Sequence, residues 1–119
     1  MSGVADGDFE VTQSTHGSTT VVHVTGEVDW ATAPEIEQVL ADVVGESQGG
    51  VVADYTKVTF LDSTGLSTLL KVRNRLASAE RPFAVCACEW PVRNTFEVSG
   101  VAGTLRLHQS LDSALAALA

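Results

Sequence analysis

The run Gly49-Gly50-Val51-Val52-Ala53 constrains the fold more than any other stretch of this chain. Its apolar residues follow one another without polar alternation, and the run is too short for a helix, so it predicts a strand covered on both faces. Upstream, Ile36, Val39, Leu40, Val43 and Val44 recur at i, i+3, i+4, i+7 and i+8, which is one face of a helix. Thr32 and Glu35 have the spacing of a capping box, Pro34 suits a first turn, and Gly45 can close the helix in a left-handed conformation. Downstream, Leu66, Leu69, Leu70 and Leu76 keep helical spacing and predict a second helix beginning near Ser63.

The remaining segments extend the alternation. Phe9 to Gln13 and Thr19 to Thr25 predict two strands joined at Gly17-Ser18, and Phe83 to Cys88 reads as another buried strand. Pro91 to Val98 predicts a short helix closed by Gly100, and Leu105 to Leu107 a last strand. Ser110 can cap a final helix that lays Leu111, Leu115 and Leu118 on the sheet. The order β-β-α-β-α-β-α-β-α predicts an α/β domain on a mixed, largely parallel sheet. Met1 to Asp8 offers little to bury and reads as a mobile lead-in, leaving one domain over residues 9–119.

Composition narrows the function. Fifteen acidic residues against seven basic ones give a formal charge of −8, which repels nucleic acid and anionic lipid, so the expected macromolecular partner is a protein. Apolar stretches are broken well short of the roughly 20 residues of a membrane span, and the first residues lack a signal-peptide pattern, which predicts a cytoplasmic location. Cys86 and Cys88 stand one residue apart, where alternation turns them to opposite faces, so they read as small core residues and not as a disulfide or metal pair.

The sequence lacks the usual marks of catalysis. There is no Gly-Lys-Ser or Gly-Lys-Thr of a phosphate-binding loop and no dinucleotide fingerprint. His16, His23 and His108 show no metal-binding spacing, and no Ser lies in a G-x-S-x-G turn; His23, between Val22 and Val24, reads as a half-exposed strand residue. Neither an enzyme nor a cofactor is expected.

Asp62-Ser63-Thr64-Gly65 is the segment with chemical promise. It follows a strand and opens a helix, where unpaired amides and the helix dipole favour negative charge, so a hydroxyl there can carry a phosphate. From these four residues alone the simpler reading is that Asp62 or Ser63 merely caps the helix. Glu27, Asp29 and Asp54 fall at strand ends on this reading and either gather near Ser63 or remain solvated ends. Trp30, in the loop after Asp29, is either an exposed interface anchor or a ring folded over the helix.

Taken in order, Gly26-Glu27-Val28-Asp29, Ala31-Thr32-Ala33-Pro34-Glu35, Val51-Val52-Ala53-Asp54 and Val58-Thr59-Phe60-Leu61-Asp62-Ser63-Thr64-Gly65-Leu66 resemble the anti-sigma factor antagonists. These are single-domain members of the STAS (sulfate transporter and anti-sigma factor antagonist) family. Val98-Ser99-Gly100 resembles the family's helix end before its last strand, and Tyr55 departs from the aliphatic residue usual there. The resemblance implies a four- to five-stranded sheet with helices packed mainly on one face. It implies that Ser63 is phosphorylated by an anti-sigma factor that is itself a serine kinase. On this view the unphosphorylated antagonist, expected to be a monomer when free, binds the kinase and frees a sigma factor, and a serine phosphatase restores the cycle. Asp62 would then orient Ser63, with Thr64 and Gly65 beside it and Glu27, Asp29, Trp30 and Asp54 bordering the same surface. The alternative within the family is a non-phosphorylated subunit of a lipid-transport or sensory-scaffold complex.

Overall fold

The computed structural model describes residues 9–87 and 89–118. Its elements are β1 (Glu10–His16), β2 (Thr19–Val28), α1 (Ala33–Glu46), β3 (Val51–Leu61), α2 (Ser63–Ser78), β4 (Phe83–Cys86), α3 (Trp90–Val98), β5 (Leu107–His108) and α4 (Leu111–Leu118). This is the expected order. The strands form one five-stranded sheet in the order β1-β2-β3-β4-β5. Its first pair is an antiparallel hairpin closed at Gly17, whose φ of +63° suits a tight turn, and the other pairs are parallel. The predicted roles of Met1–Asp8 and Cys88 lie outside the described residues.

Alternation along β3 divides the interior into two layers. Val51, Ala53, Tyr55 and Val58 face the larger core, with Ile36, Leu40 and Val43 of α1, Leu66, Leu69, Val72 and Leu76 of α2, and Val92 and Phe96 of α3. Val52 points the other way and joins Val21, Ala84, Cys86 and Ala114 of α4 in a smaller cluster, flanked by Leu111, Leu115 and Leu118. Three helices therefore cover one face and α4 covers part of the other, as expected of helices packed mainly on one side.

Four local expectations are corrected. β3 does not end near Ala53 but continues to Leu61, because its pairing with β2 resumes after a register shift, Thr25 opposite Lys57 and Val28 opposite Leu61, and Tyr55, Val58 and Leu61 stay buried. Gly45 does not close α1; the helix runs to Glu46, and the Ser47 hydroxyl donates to the Val43 carbonyl at 2.6 Å. Thr32 does not form a capping box, since Asp29 Oδ1 accepts the amides of Ala31 and Thr32 instead. The last strand is Leu107–His108, because Arg106 has φ of +53° and interrupts extended backbone, while Leu105 is buried in the preceding turn. Gly100 does close α3, at φ of +77° with its amide donated to Glu97.

Candidate functional site

β2, β3 and β4 run parallel, so the segments that follow them emerge at one end of the sheet, the position where α/β sheets commonly carry their sites. Ser63 lies there as the first residue of α2 and is exposed. Asp62 caps the helix: its Oδ1 accepts the Gly65 amide at 3.0 Å and its carbonyl accepts the Leu66 amide at 3.1 Å. The amides of Ser63 and Thr64 precede any intrahelical acceptor, and among the described residues no side chain engages the Ser63 hydroxyl. Thr64 is likewise exposed, while its carbonyl accepts the Thr68 hydroxyl at 3.3 Å.

Gly65 explains how this helix start comes so close to the sheet. A Cβ there would stand 2.6 Å from both Leu61 Cδ1 and Val28 Cγ1, so only a glycine lets α2 rest on the ends of β2 and β3 in this way. The Asp62 amide donates to the Val28 carbonyl at 3.2 Å and ties the Ser63 turn to the turn after β2.

That neighbouring turn holds Glu27, Asp29 and Trp30. Glu27 is exposed and lies opposite Phe60 of β3. The Asp29 carboxylate is occupied in ordering the turn before α1, and the Thr32 hydroxyl donates to the Glu27 carbonyl at 2.9 Å. Trp30 stands 76% exposed, which excludes a ring folded over the helix. Phe60, at 49%, and Trp90 of α3, at 71%, are also exposed at this end of the sheet. Neither was singled out from the sequence. For Phe60 the available signal was Gly26 within a strand: with φ of +103° it sits at a register shift between β2 and β3, a bulge that re-aims the side chains beyond it.

Asp54 does not join this group. It sits in the body of β3, seven residues before Leu61, and faces the side of the sheet away from α1, α2 and α3. There its Oδ2 pairs with His23 Nδ1 at 2.7 Å, and its Oδ1 accepts the Thr56 amide at 3.1 Å, the Thr56 hydroxyl at 2.7 Å and the Cys86 thiol at 3.4 Å. Burial alone would raise the Asp54 pKa. The hydrogen bonds from Thr56, His23 and Cys86 outweigh it and hold the carboxyl below its ordinary value.

Among the described residues no group of His, Cys, Asp and Glu is arranged to hold a metal ion, and no helix is long and apolar enough to cross a membrane. What the Ser63 end presents is an accessible hydroxyl on a positively polarised helix start, with acids and three exposed aromatic rings, Trp30, Phe60 and Trp90, at the same end of the sheet.

The STAS domain family model matches residues 10–114. Anti-sigma-F factor antagonist RsfB of Mycobacterium tuberculosis is 30% identical over 111 residues, covering 93% of this chain and 90% of that protein. The crystal structure of an anti-sigma factor antagonist from Mycobacterium paratuberculosis superposes with a TM-score of 0.87 at 34% identity, covering 92% of this chain and 93% of the other. The fold is shared with SpoIIAA in its unphosphorylated form, at a TM-score of 0.72, 18% identity and coverage of 90% and 92%. It is shared also with the Bacillus cell fate determinant SpoIIAA in the phosphorylated form, at 0.69, 17% identity and coverage of 93% and 99%. With the family model spanning the sheet, α1 to α3 and the first turn of α4, and relatives named anti-sigma factor antagonists aligned along most of its length, this chain belongs to the STAS domain family.

Proposed function

We propose that this chain is an anti-sigma factor antagonist whose unphosphorylated form binds an anti-sigma factor serine kinase and thereby releases a sigma factor. Phosphorylation at Ser63 switches it off, and a serine phosphatase restores it. The observation that carries this reading is the division of labour at the start of α2. Asp62 supplies the cap and, among the described residues, no hydrogen bond holds the exposed Ser63 hydroxyl, which leaves it available to a kinase. Relatives named anti-sigma factor antagonists, and a protein of the same fold known in both phosphorylated and unphosphorylated forms, support it.

Electrostatics makes the switch large enough. A phosphate adds about −1.5 to −2 charges, with support from the helix start in the free protein. Each added charge about 6 Å from a carboxylate on the partner costs on the order of 3 kcal/mol at an effective dielectric near 20, roughly a hundredfold in affinity. Trp30 and Phe60 provide apolar anchoring area beside that charge.

The test is to incubate the protein with anti-sigma factor kinases of its own genome and ATP, and to map added phosphate by mass spectrometry with Ser63→Ala as control. Phosphate on Ser63 that weakens the complex is the expected result. Tight binding without transfer would overturn the switch and favour a non-phosphorylated scaffold subunit, whereas no binding to any such kinase would overturn the antagonist reading itself.

A further inference from the structure

The side of the sheet away from Ser63's helix carries a second polar arrangement, built from three strands. Ser14 of β1, His23 of β2 and Asp54 of β3 form a relay: Ser14 Oγ is 2.8 Å from His23 Nε2, and His23 Nδ1 is 2.7 Å from Asp54 Oδ2. An ionised carboxylate only accepts, so the bond to Asp54 assigns the ring proton to Nδ1 and leaves the Nε2 lone pair to receive the Ser14 hydroxyl. Asp54 is itself fixed by three donors, from the Thr56 amide, the Thr56 hydroxyl and the Cys86 thiol. A hydroxyl within reach of a base, with the base oriented by a buried third group, is the geometry of an activated nucleophile. His16 Nε2, 3.2 Å from Ser14 Oγ, can donate to that oxygen while the serine hydroxyl donates to His23.

We infer that Ser14 is an acyl-accepting serine, reactive toward small activated acyl donors such as aryl esters. Ser14 Oγ attacks the carbonyl carbon while His23 Nε2 takes the hydroxyl proton. The bond from that carbon to the leaving oxygen then breaks, and His23 returns the proton to the leaving group. The products are acyl-Ser14 and a free phenol, with nothing oxidised or reduced. Water activated by the same ring can later release the acid and regenerate Ser14. Access sets the substrate class: the His23 side chain is 30% exposed and that of Asp54 11%, while His16 and Thr12 on the same face are exposed. α4 packs mainly on β3, β4 and β5, with Val21 the hairpin residue in its cluster. The acyl donor therefore arrives from solvent and owes its reactivity to a good leaving group.

The test treats the full chain with p-nitrophenyl acetate, follows nitrophenolate release, and maps the acetyl group by peptide mass spectrometry. Acetylation at Ser14 is expected, absent in Ser14→Ala and retained in Thr12→Ala, a hydroxyl on the same face outside the relay. His23→Gln should slow acylation by about a hundredfold, the scale of a lost general base. Asp54 acts as a positioning residue through His23, so Asp54→Asn should both slow acylation and shift the His23 Nδ1 proton resonance. Acetyl groups found only on lysines, or an unchanged rate in Ser14→Ala, would overturn the inference. No kinase takes part, so the result is independent of the Ser63 switch.

Discussion

Asp62 Oδ1 accepts the Gly65 amide at 3.0 Å, which makes Asp62 and not Ser63 the cap of α2. The two residues are adjacent, yet their substitution should separate cleanly. Asp62→Ala leaves a helix-start amide unpaired and should cost about 1 kcal/mol of folding stability, whereas Ser63→Ala should stay within about 0.5 kcal/mol of the parent. Urea unfolding of both variants checks this, and an equal loss in Ser63→Ala would return Ser63 to a capping role.

Gly65→Ala should destabilise despite raising helix propensity. Within a helix alanine is favoured over glycine by about 1 kcal/mol. Here, however, the new Cβ would meet Leu61 Cδ1 and Val28 Cγ1, both at 2.6 Å. Leu61 can swing its terminal methyl aside, but the β-branched Val28 cannot without moving β2, and overpacking of this kind costs about 1–3 kcal/mol. The expected net is a loss of about 1 kcal/mol in chemical denaturation; a gain would mean that α2 can lift from the sheet freely.

Tyr55→Phe should stabilise. Among the described residues the Tyr55 hydroxyl is fully buried without a hydrogen-bond partner, and burial pushes its pKa far up. Removing an unsatisfied buried hydroxyl while keeping the ring should gain about 1 kcal/mol, or about 4 °C in Tm. A lower Tm in the variant would show that the hydroxyl has a partner, such as an enclosed water.

These variants also mark where the sequence was legible. The helix faces of Ile36, Leu40 and Val43 and of Leu66, Leu69 and Leu76 were readable because a 3.6-residue period survives in a short window. Ser63 at a helix start was readable for the same reason. The length of β3 was not, because Asp54 and Thr56 interrupt the apolar run, and the Tyr55 and Val58 that continue it look no different from a loop. That one misplacement carried Asp54 to the wrong end of the sheet. Its true neighbours His23 and Cys86 lie 31 and 32 residues away in sequence, and strand pairing brings them together. No local spacing records such a meeting.

Acid should erode the contribution of Asp54. Its folded pKa is held below the ordinary 3.8 by hydrogen bonds that outweigh burial, so the unfolded state takes up a proton first as pH falls. The stability due to the carboxylate is complete above its unfolded pKa and is lost as pH drops through the lower folded value. The gap in unfolding free energy between the parent and Asp54→Asn should therefore narrow from about pH 5 to about pH 3. A constant gap across that window would mean that the geometry of the His23 and Thr56 contacts matters and the charge does not.

Trp30 tests the surface around Ser63 separately from its fold. At 76% exposure it contributes little to the core, so Trp30→Ala should change stability by no more than about 0.5 kcal/mol. If the proposed kinase docks at this end of the sheet, the ring is the kind of large, amphipathic anchor whose truncation costs about 2 kcal/mol or more of binding, roughly thirtyfold in Kd. Phe60→Ala should weaken the complex less, since half of that ring is already covered within the domain. Titration calorimetry of both variants against the cognate kinase measures the difference. Because Trp30 follows β2 and Ser63 follows β3, loss of affinity in Trp30→Ala with normal phosphate transfer to Ser63 would assign the two turns distinct tasks, anchoring and switching. Unchanged affinity in both variants would move the docking surface elsewhere, with Trp90 of α3 the next exposed ring at this end of the sheet.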